Sequence, residues 1–433
     1  MASRFDPAGP LRGSLRPPAD KSISHRAALI AAMGDGETTI DGYLDSADTR
    51  STLAAVGALG AEIEGAGAAA IEPRISIRGV GLRGAGAASV DVGNAGTLLR
   101  LLPGWLAGQP AGAWTLDGDD SIRRRPVDRI AAPLREMGAR LSCREQRLPP
   151  LEIEAAPLSG VSYSMPIASA QVKSCLLFAG LLAEGETWVG EPARSRDHTE
   201  RMLSAAGADV AWLRGGVAVR PAEKLEPGEL AVPADFSSAA FLLVAALLVP
   251  GSEVALEGVG TNPTRTGLLD ILERMGAEVE VEVEGKRGGE PIGTIRARSS
   301  ALRGTEVGGE EIPLAIDELP LLALAACFAE GETTIRDAAE LRRKESDRVA
   351  TTCEALVALG ADAEPSEDGM RIVGSGGLRG GSIESHGDHR IAMLGAIAGL
   401  ASGQGVEVEG MDAAAVSYPG FEADLASLLG GRV

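Results

Sequence analysis

The sequence predicts an α/β protein of two lobes, each made of three repeated units with buried helices inside and β-sheets outside. Three observations predict this fold. A β-rich phrase entered through a glycine turn recurs along the chain, a short helical segment that is apolar on nearly every face precedes each copy, and a second helical segment follows. Six units of one kind divide most simply into two lobes of three.

The recurring β phrase marks one extended, β-rich stretch in each unit. It is clear at four places and weaker at two, namely GDGETTIDGYL (34–44), AEGETWVGEPA (183–193), VPGSEVALEGV (249–259) and AEGETTIRDAA (329–339), then AGAWTLDGDD (111–120) and GQGVEVEGMD (403–412). Because phrases of one type predict strands at corresponding points of each repeat, we expect several separate sheets.

Each unit is also expected to contain two helices of different character. The apolar helical segments are HRAALIAAM (25–33), TLLRLLPGWLAG (97–108), SCLLFAGLLA (174–183), SAAFLLVAALLV (238–249), LPLLALAACFA (319–329) and RIAMLGAIAGLA (390–401). A helix that is apolar all round is buried. The second, amphipathic helices end on Gly-Ala, a stop signal, in VGALGAE (56–62), LREMGAR (134–140), LSAAGAD (203–209), LERMGAE (272–278) and LVALGAD (356–362).

A short polar phrase lies just ahead of each apolar helix. These phrases are DKSIS (20–24), GNAGT (93–97), SAQVKS (169–174), ADFSS (234–238), IDELP (316–320) and HGDHR (386–390). Most of their residues suit ordinary N-caps. Lys21, Arg26, Lys173 and Arg390, however, are disfavoured near the positive end of a helix dipole. A bound anion would reverse that preference, and parallel helices would direct these N-termini toward the cleft between the lobes.

Composition limits the classes of function. The chain has 41 Lys and Arg against 61 Asp and Glu, a net charge of −20, which disfavours binding to nucleic acid or to an anionic membrane. The longest apolar runs are too short to span a bilayer, and the N-terminal residues lack the apolar core of a signal peptide. The four cysteines show no metal-binding or disulfide spacing, so we expect a cytoplasmic protein.

Basic residues also collect ahead of the second helices, in SIRRRPVDR (121–129), SRDHTER (195–201) and LRRKESDR (341–348). Any one phrase could be a surface helix with ion pairs. All four histidines nevertheless fall within these polar phrases, and the sum suits a small ligand with several phosphate or carboxylate groups. Asp317 and Glu345 stand among the cations, either as counter-ions or as the acid and base for chemistry on a bound anion.

Seven phrases match a known family. DKSISHR, GNAGT, SAQVKS, SRDHTE, NPTRTG (262–267), ELRRKESDR (340–348) and DHRIAM (388–393) resemble the motifs of the 5-enolpyruvylshikimate-3-phosphate synthase family, from residue 20 to about residue 395. The resemblance implies the two-lobed enolpyruvyl transferase fold. One lobe would hold residues 20–233, the other residues 1–19 plus 234–433, with hinges near 19–21 and 233–236.

The resemblance implies a reaction and a role for each matching residue. The enolpyruvyl group of phosphoenolpyruvate would move to the 5-hydroxyl of shikimate-3-phosphate, with release of phosphate, in a monomer that needs no metal or organic cofactor. Shikimate-3-phosphate would contact Lys21, Ser22, Arg26, Ser169, Ala170, Gln171, Arg196, Asp317 and Lys344, and phosphoenolpyruvate would contact Lys21, Gly96, Arg125, Gln171, Arg348 and Arg390. The catalytic residues would be Asp317 as proton acceptor, Glu345 as proton donor, and Lys21.

Some residues depart from the family pattern. VSYPGF (416–421) lacks a lysine that many members carry, which removes one phosphoenolpyruvate contact. SAQVKS and NPTRTG are similar to the glyphosate-tolerant branch, whereas tolerant members of that branch often have Ala where this chain has Gly96, and the other branch usually has Pro where this chain has Leu101. The sequence therefore leaves glyphosate sensitivity open.

Two other functions fit parts of the pattern. An enolpyruvyl transferase for a UDP-amino sugar typically has a Lys-Asn pair near its N-terminus and a reactive loop cysteine, but here Ser22 follows Lys21 and Cys143 lies in no such loop. A non-catalytic anion-binding protein would not need Asp317 and Glu345 among its cations. The aromatic-pathway transferase is the interpretation that uses all these residues.

Overall fold

The computed structural model describes residues 2–66 and 73–430, which form two compact units. Of these residues, the C-terminal unit comprises 2–18, Ala234–Gly285 and 291–430, and the N-terminal unit comprises 19–66, 73–233 and Lys286–Glu290. The grouping of the short turn Lys286–Glu290 with the N-terminal unit is a feature that the sequence did not indicate.

Thirteen α-helices are distributed over the described residues. They are α1 (Lys21–Met33), α2 (Ala47–Ala58), α3 (Gly96–Ala107), α4 (Asp128–Glu136), α5 (Ala170–Gly180), α6 (His198–Ala205), α7 (Phe236–Leu248), α8 (Gly267–Arg274), α9 (Ile312–Ala315), α10 (Leu319–Cys327), α11 (Arg348–Ala358), α12 (His389–Ala401) and α13 (Phe421–Leu428). Short 3-10 helices lie at Ile122–Arg124, Gly309–Glu311, Ala339–Arg343 and Met411–Val416.

The same residues contain 23 strands. They are β1 (Ala2–Phe5), β2 (Arg12–Leu15), β3 (Glu37–Asp41), β4 (Glu62–Glu64), β5 (Arg74–Arg78), β6 (Ala88–Asp91), β7 (Ala113–Asp117), β8 (Arg140–Arg144), β9 (Leu148–Glu154), β10 (Ser162–Ser164), β11 (Thr187–Gly190), β12 (Val210–Leu213), β13 (Gly216–Val219), β14 (Glu229–Ala231), β15 (Glu253–Gly260), β16 (Glu278–Arg287), β17 (Glu290–Arg298), β18 (Glu306–Val307), β19 (Glu330–Ile335), β20 (Asp362–Pro365), β21 (Met370–Ser375), β22 (Gly381–Glu384) and β23 (Val406–Glu409).

These strands form three sheets in each unit. The N-terminal unit has the strand orders β14-β3-β5-β4, β6-β7-β9-β8 and β10-β11-β13-β12. In each of these sheets the first pair is parallel and the next two pairs are antiparallel. The C-terminal unit has the orders β16-β17-β15-β2, β18-β19-β21-β20 and β1-β23-β22. The predicted α/β fold of two times three repeated units is confirmed.

One buried helix accompanies each sheet. Helices α1, α3 and α5 supply the core of the N-terminal unit, and α7, α10 and α12 supply the core of the C-terminal unit. Every residue of α7 is buried, as its uniformly apolar sequence predicts. The five predicted glycine stops are confirmed too, since Gly60, Gly138, Gly207, Gly276 and Gly360 all have positive φ.

The polar phrases lie within the helices rather than only ahead of them, which corrects the predicted helix starts. Helix α1 begins at Lys21 instead of His25, because the Asp20 carboxylate accepts the backbone N–H of Ile23 at 2.8 Å. Helices α5, α7 and α12 start in the same way behind Ser169, Asp235 and Asp388. This correction places the polar side chains on the first turns of buried helices.

Within the described residues, four of the six polar phrases provide a side-chain cap, as expected for most of them, and two do not. Helix α3 begins at Gly96 after Ala95, and the amide of Asn94 instead donates to Asp119 and Ser121, each at 2.7 Å. Helix α10 begins at Leu319 after Glu318, again without a side-chain cap.

Across residues 2–66 and 73–430, the helices all fall short of the length and apolar character needed to cross a membrane.

Candidate active site

The predicted site residues form two groups, one in each unit. The N-terminal cluster contains Lys21, Ser22, Arg26, Gly96, Arg125, Ser169, Ala170, Gln171 and Arg196. The C-terminal cluster contains Asp317, Lys344, Glu345, Arg348 and Arg390. Part of each cluster lies on the first turns of buried helices, and the rest lies in the segments that precede other helices of the same unit.

Arg26 joins three helices of the N-terminal unit. Its Nε donates to the Thr199 hydroxyl at 2.7 Å, its Nη2 to the Ser174 hydroxyl at 3.0 Å, and its Nη1 to the Ser22 carbonyl at 2.9 Å. These bonds connect α1 with α5 and α6, so the N-terminal turns of α1 and α5 lie side by side. All of the acceptors are neutral oxygens.

Burial lowers the pKa of Arg26 to about 10, against the opposing effect of the Glu200 charge. The charge of Arg196 lowers the same pKa further, and the charges of Asp20 and Glu290 raise it. A buried guanidinium whose hydrogen-bond acceptors are neutral can take an anion as an additional partner.

The first turns of α3 and α5 also meet. Arg100 Nη1 donates to Gln171 Oε1 at 2.7 Å, and Gln171 Nε2 donates to the Thr97 hydroxyl at 3.3 Å. A methyl group added at Gly96 would lie 2.5 Å from Nη1 of Arg125. Gly96, Arg125 and Gln171, which were predicted to bind one substrate, are therefore joined through short local contacts.

Lys21 and Ser169 of the N-terminal cluster contact neighbouring protein groups, through an ion pair and a helix cap. Lys21 Nζ lies 3.1 Å from Oδ2 of Asp48, a buried residue in the first turn of α2. The Ser169 hydroxyl caps α5 by accepting the N–H of Val172 at 3.4 Å. Ala170 is the first residue of that helix, and its carbonyl accepts the hydroxyl of Ser174 at 2.6 Å.

Lys173 is buried and serves as an internal counter-ion. Its Nζ lies 2.8 Å from Glu200, 3.1 Å from Glu191 and 3.3 Å from the carbonyl of Ser195. It thereby fixes the segment that leads into Arg196. Burial raises the pKa of Glu200, although the charge of Lys173 opposes that effect.

Histidine contributes less charge than the sequence pattern suggested. His25 is buried, its Nδ1 lies 2.6 Å from the Thr52 hydroxyl, and burial lowers its pKa to about 3. His198 Nδ1 lies 2.8 Å from Glu290 in the turn Lys286–Glu290, and both side chains are buried. Interpreting His25 as part of a cationic cluster was therefore wrong, because desolvation keeps it neutral near pH 7.

Asp317 is the centre of the C-terminal cluster. Its Oδ1 lies 3.1 Å from Lys344 Nζ and 3.3 Å from Arg348 Nη1. Its Oδ2 lies 3.6 Å from Arg265 Nη1 and 3.9 Å from Arg390 Nη2. Four cations surround this one carboxylate, and nearby opposite charges stabilise its anionic form.

Arg348 binds three carboxylates. Its Nη2 donates to Glu345 at 2.6 Å, its Nε donates to Asp388 at 2.8 Å, and its Nη1 contacts Asp317. Burial disfavours the charged guanidinium, but the charges of Asp388, Glu345 and Asp317 outweigh burial and raise the pKa of Arg348. Arg348 lowers the pKa of Asp388 in turn, although burial alone would raise it. Arg348 and Asp388 thus form a fixed, ionised pair within the cluster.

Arg390 is held by the start of α10 and by α7. Its Nη1 donates to the Asp317 carbonyl at 2.9 Å and lies 3.4 Å from Glu318, and its Nη2 donates to the Ser237 hydroxyl at 3.0 Å. The N-terminal turns of α7, α10 and α12 therefore meet around Arg390. Guanidinium groups fixed in this way can bind a carboxylate or a phosphate in a defined orientation.

Several residues in these networks were not predicted. They are Asp48, Arg100, Ser237, Arg265, Glu318 and Asp388. A sequence signal existed for four of them, because Ser237, Glu318 and Asp388 lie inside polar phrases and Arg265 lies inside NPTRTG. Asp48 and Arg100 carried no such signal, since only the packing of α2 and α3 brings them to the cluster.

Comparisons with known proteins extend over nearly the whole chain. The sequence model of the family described as EPSP synthase (3-phosphoshikimate 1-carboxyvinyltransferase) matches residues 5–425. The 3-phosphoshikimate 1-carboxyvinyltransferase of Thermus thermophilus is 51% identical over 429 residues, 99% of each chain. That of Halorhodospira halophila is 50% identical over 421 residues, 96% of this chain and 94% of the other. A 2.37 Å structure of EPSP synthase from Acinetobacter baumannii matches with a TM-score of 0.87 and 43% identity, covering 98% of this chain and 97% of that chain.

Proposed function

The chain belongs to the EPSP synthase family, and we propose that its two clusters supply the residues that bind and convert the two substrates of that family's reaction. The reaction transfers the enolpyruvyl group of phosphoenolpyruvate to the 5-hydroxyl of shikimate-3-phosphate and releases phosphate, a step of the shikimate pathway to aromatic compounds. The surroundings of Asp317 carry the proposal, since four cations converge on one carboxylate beside Glu345.

In the proposed mechanism Asp317 accepts the proton of the 5-hydroxyl while the oxygen of that hydroxyl attacks phosphoenolpyruvate. Glu345 donates a proton to the methylene carbon of phosphoenolpyruvate, which makes the adjacent carbon electrophilic, and Lys21 assists. The tetrahedral intermediate then loses phosphate as the methyl group gives back a proton. The 2.6 Å contact of Glu345 with Arg348 supports its role, because it fixes the carboxyl group beside a proposed phosphoenolpyruvate ligand.

Substrate binding is assigned in the same terms. We propose that shikimate-3-phosphate is bound by Lys21, Ser22, Arg26, Ser169, Ala170, Gln171, Arg196, Asp317 and Lys344. Phosphoenolpyruvate would be bound by Lys21, Gly96, Arg125, Gln171, Arg348 and Arg390. The neutral acceptors of Arg26 support the first assignment, and the close approach of Gly96 to Arg125 supports the second.

We further propose that the two compact units are the two lobes, connected near residues 19–21 and 233–236, and that the enzyme acts as a monomer in the cytoplasm. Four unpaired cysteines, three of them buried, support a reducing compartment. We also propose that glyphosate binds to the residues that bind phosphoenolpyruvate, because Gly96 has no side chain to occupy the space beside Arg125.

Phosphate release from phosphoenolpyruvate, measured with and without shikimate-3-phosphate, tests the chemistry. We expect release by the wild type only with both substrates, and a loss of about 10²–10⁴-fold in kcat for Glu345→Gln and for Asp317→Asn. Asp362→Asn, an exposed residue of β20, is the control and should keep full activity. A fully active Glu345→Gln variant would move the proton donor elsewhere, for instance to Lys21.

A further inference from the structure

We infer that Arg265 is a positioning residue for the reaction, one that holds both Asp317 and Arg390 in their working geometry. The inference rests on the roles proposed above for those two residues. Arg265 lies outside the set carried over from the family motifs, yet its side chain reaches the centre of the C-terminal cluster. It is almost completely buried, with 3% of its surface exposed.

The contacts of Arg265 converge on the acidic side of the cluster. Its Nη1 lies 3.6 Å from Oδ2 of Asp317 and 3.5 Å from Oε1 of Glu318. Its Nη2 lies 3.5 Å from Oδ1 of Asp235 and donates to the Ser237 hydroxyl. The guanidinium therefore lies within ion-pair distance of the proposed proton acceptor.

Ser237 connects Arg265 to Arg390. A hydroxyl has one donor and two acceptor positions, and Ser237 uses all three. It donates to Glu318, and it accepts from Nη2 of Arg265 and, at 3.0 Å, from Nη2 of Arg390. Because the hydroxyl is saturated, removing Arg265 frees Ser237 to reorient and leaves Arg390 less well fixed.

The loop that carries Arg265 is built to deliver it. Asn262 accepts the backbone N–H of Thr264 at 3.0 Å through its side chain, and its carbonyl accepts the backbone N–H of Arg265 at 2.8 Å. A methyl group added at Gly267 would lie 2.7 Å from Leu314 Cβ, three residues before Asp317. The glycine thus permits the start of α8 to pack closely against the segment that presents Asp317. NPTRTG acquires a physical meaning, since its polar residues shape the turn and its glycine brings the turn to the proton acceptor.

Stability alone does not account for this arginine. Burying charged groups carries a large desolvation cost, and replacing a buried ion network with apolar residues is often neutral or stabilising. The start of α7 does not depend on it either, because Asp235 already accepts the N–H groups of Ser237 at 2.6 Å and Ser238 at 3.3 Å. A functional role for the buried charge is the simpler explanation.

The expected kinetic signature is specific. Arg265→Met keeps most of the side-chain volume but removes the charge and the donors. We expect kcat to fall about 100-fold, the loss that a small misplacement of reacting groups produces. The KM for phosphoenolpyruvate should rise, because Arg390 is a proposed ligand of it, whereas the KM for shikimate-3-phosphate should change much less.

The pH profile provides a second signature. The charged groups around Asp317 are Lys344, Arg348, Arg390 and Arg265, and those arginines also contact the carboxylates Glu318, Glu345, Asp235 and Asp388. Asp317 must be deprotonated to accept a proton, and a nearby cation favours that state. Losing Arg265 should therefore move the acidic limb of the kcat/KM profile to higher pH. Arg265→Lys restores the charge without the forked donors, so it should recover the pH profile more than kcat.

Arg274→Met is the matched control, because Arg274 lies on α8 but is exposed and paired with Glu311 at 2.8 Å. It should leave kcat, both KM values and the pH profile unchanged. Thermal unfolding of each variant separates misfolding from a kinetic effect, and Arg265→Lys carries the test if Arg265→Met does not fold.

Two results would overturn the inference. One is a folded Arg265→Met or Arg265→Lys variant with wild-type kcat, phosphoenolpyruvate KM and pH profile. The other is a fall in kcat alone, with unchanged KM and pH profile and with Lys no better than Met, which indicates loss of active protein. Asp317→Asn and Arg390→Gln, measured in parallel, separate a failure of the proposed roles of Asp317 and Arg390 from a failure of the inference about Arg265. If both stay active, the proposed roles are wrong; if both are impaired while Arg265→Met is normal, only this inference is wrong.

Discussion

The N-terminal and C-terminal clusters hold their arginines with different kinds of acceptor. Arg26 donates to two hydroxyls and a carbonyl, which are all neutral, whereas Arg348 donates to the carboxylates Glu345, Asp388 and Asp317. A guanidinium whose direct acceptors are neutral is less fully paired than one that donates to carboxylates, and the latter also fixes the acidic groups. We therefore propose that shikimate-3-phosphate binding depends chiefly on the first cluster and proton transfer chiefly on the second.

The strongest way to break this comparison is to remove the charge of Arg26. A hydrogen bond to a charged group contributes about 1.5–3 kcal/mol, so Arg26→Gln should raise the KM for shikimate-3-phosphate about 10- to 150-fold. Steady-state kinetics with each substrate varied in turn checks it. Arg50→Gln, which removes an exposed arginine paired with Asp45, is the control and should behave like the wild type. An unchanged KM in the Arg26 variant would mean that the anion binds elsewhere.

A methyl group at Gly96 tests the same cluster sterically. Gly96→Ala should displace the Arg125 guanidinium, since the two would lie 2.5 Å apart. Because the atom displaced is at the flexible end of the Arg125 side chain, we expect the lower end of the overpacking cost, about 1 kcal/mol. That free energy corresponds to about a fivefold rise in the KM for phosphoenolpyruvate. Gly57→Ala on α2, where the nearest atom is 3.5 Å away, should leave that KM unchanged. An equal KM for phosphoenolpyruvate in the two variants would contradict the close approach of Gly96 to Arg125.

His25 sharpens the distinction between charge and packing, because its effect is on stability and not on substrate binding. Its pKa is about 3 in the folded protein and near 6.5 when unfolded, so the unfolded chain binds the extra proton between these values. Its contribution to stability is fully present above about pH 6.5 and is lost as the pH falls toward 3, at up to about 1.4 kcal/mol per pH unit.

Urea unfolding at several pH values checks this slope. His25→Gln should flatten it, whereas His386→Gln, which alters a less buried histidine on the surface of the C-terminal unit, should not. If the His25 variant keeps the wild-type slope, then His25 is not the neutral buried group described here.

The repeats made much of the fold predictable. Uniformly apolar segments predicted the buried helices, and the Gly-Ala stops predicted the ends of five amphipathic helices, because both depend on local preferences. The helix starts were less predictable. Asp20 and Asp235 draw polar residues into the first turn, and that effect is visible only when the cap hydrogen bond is known.

Site residues could be predicted from the sequence where they belong to a motif, and could not be predicted where only packing brings them to the site. Asp317, Glu345 and Arg348 come from two motifs and do meet in one cluster. Charge type alone misled for His25 and Lys173, since the sequence shows neither the desolvation of the first nor the burial of the second between Glu191 and Glu200. Arg265 stood in a recognised phrase, but only its approach to Asp317 assigns it a role.

The most direct test of the division between the clusters is calorimetric binding of shikimate-3-phosphate, combined with turnover, for the wild type, Arg26→Gln and Glu345→Gln. We predict that Arg26→Gln weakens binding about 10- to 150-fold, whereas Glu345→Gln keeps the Kd within about twofold of the wild type while its turnover collapses. Equal loss of binding in both variants, or unimpaired binding by Arg26→Gln, would contradict the account.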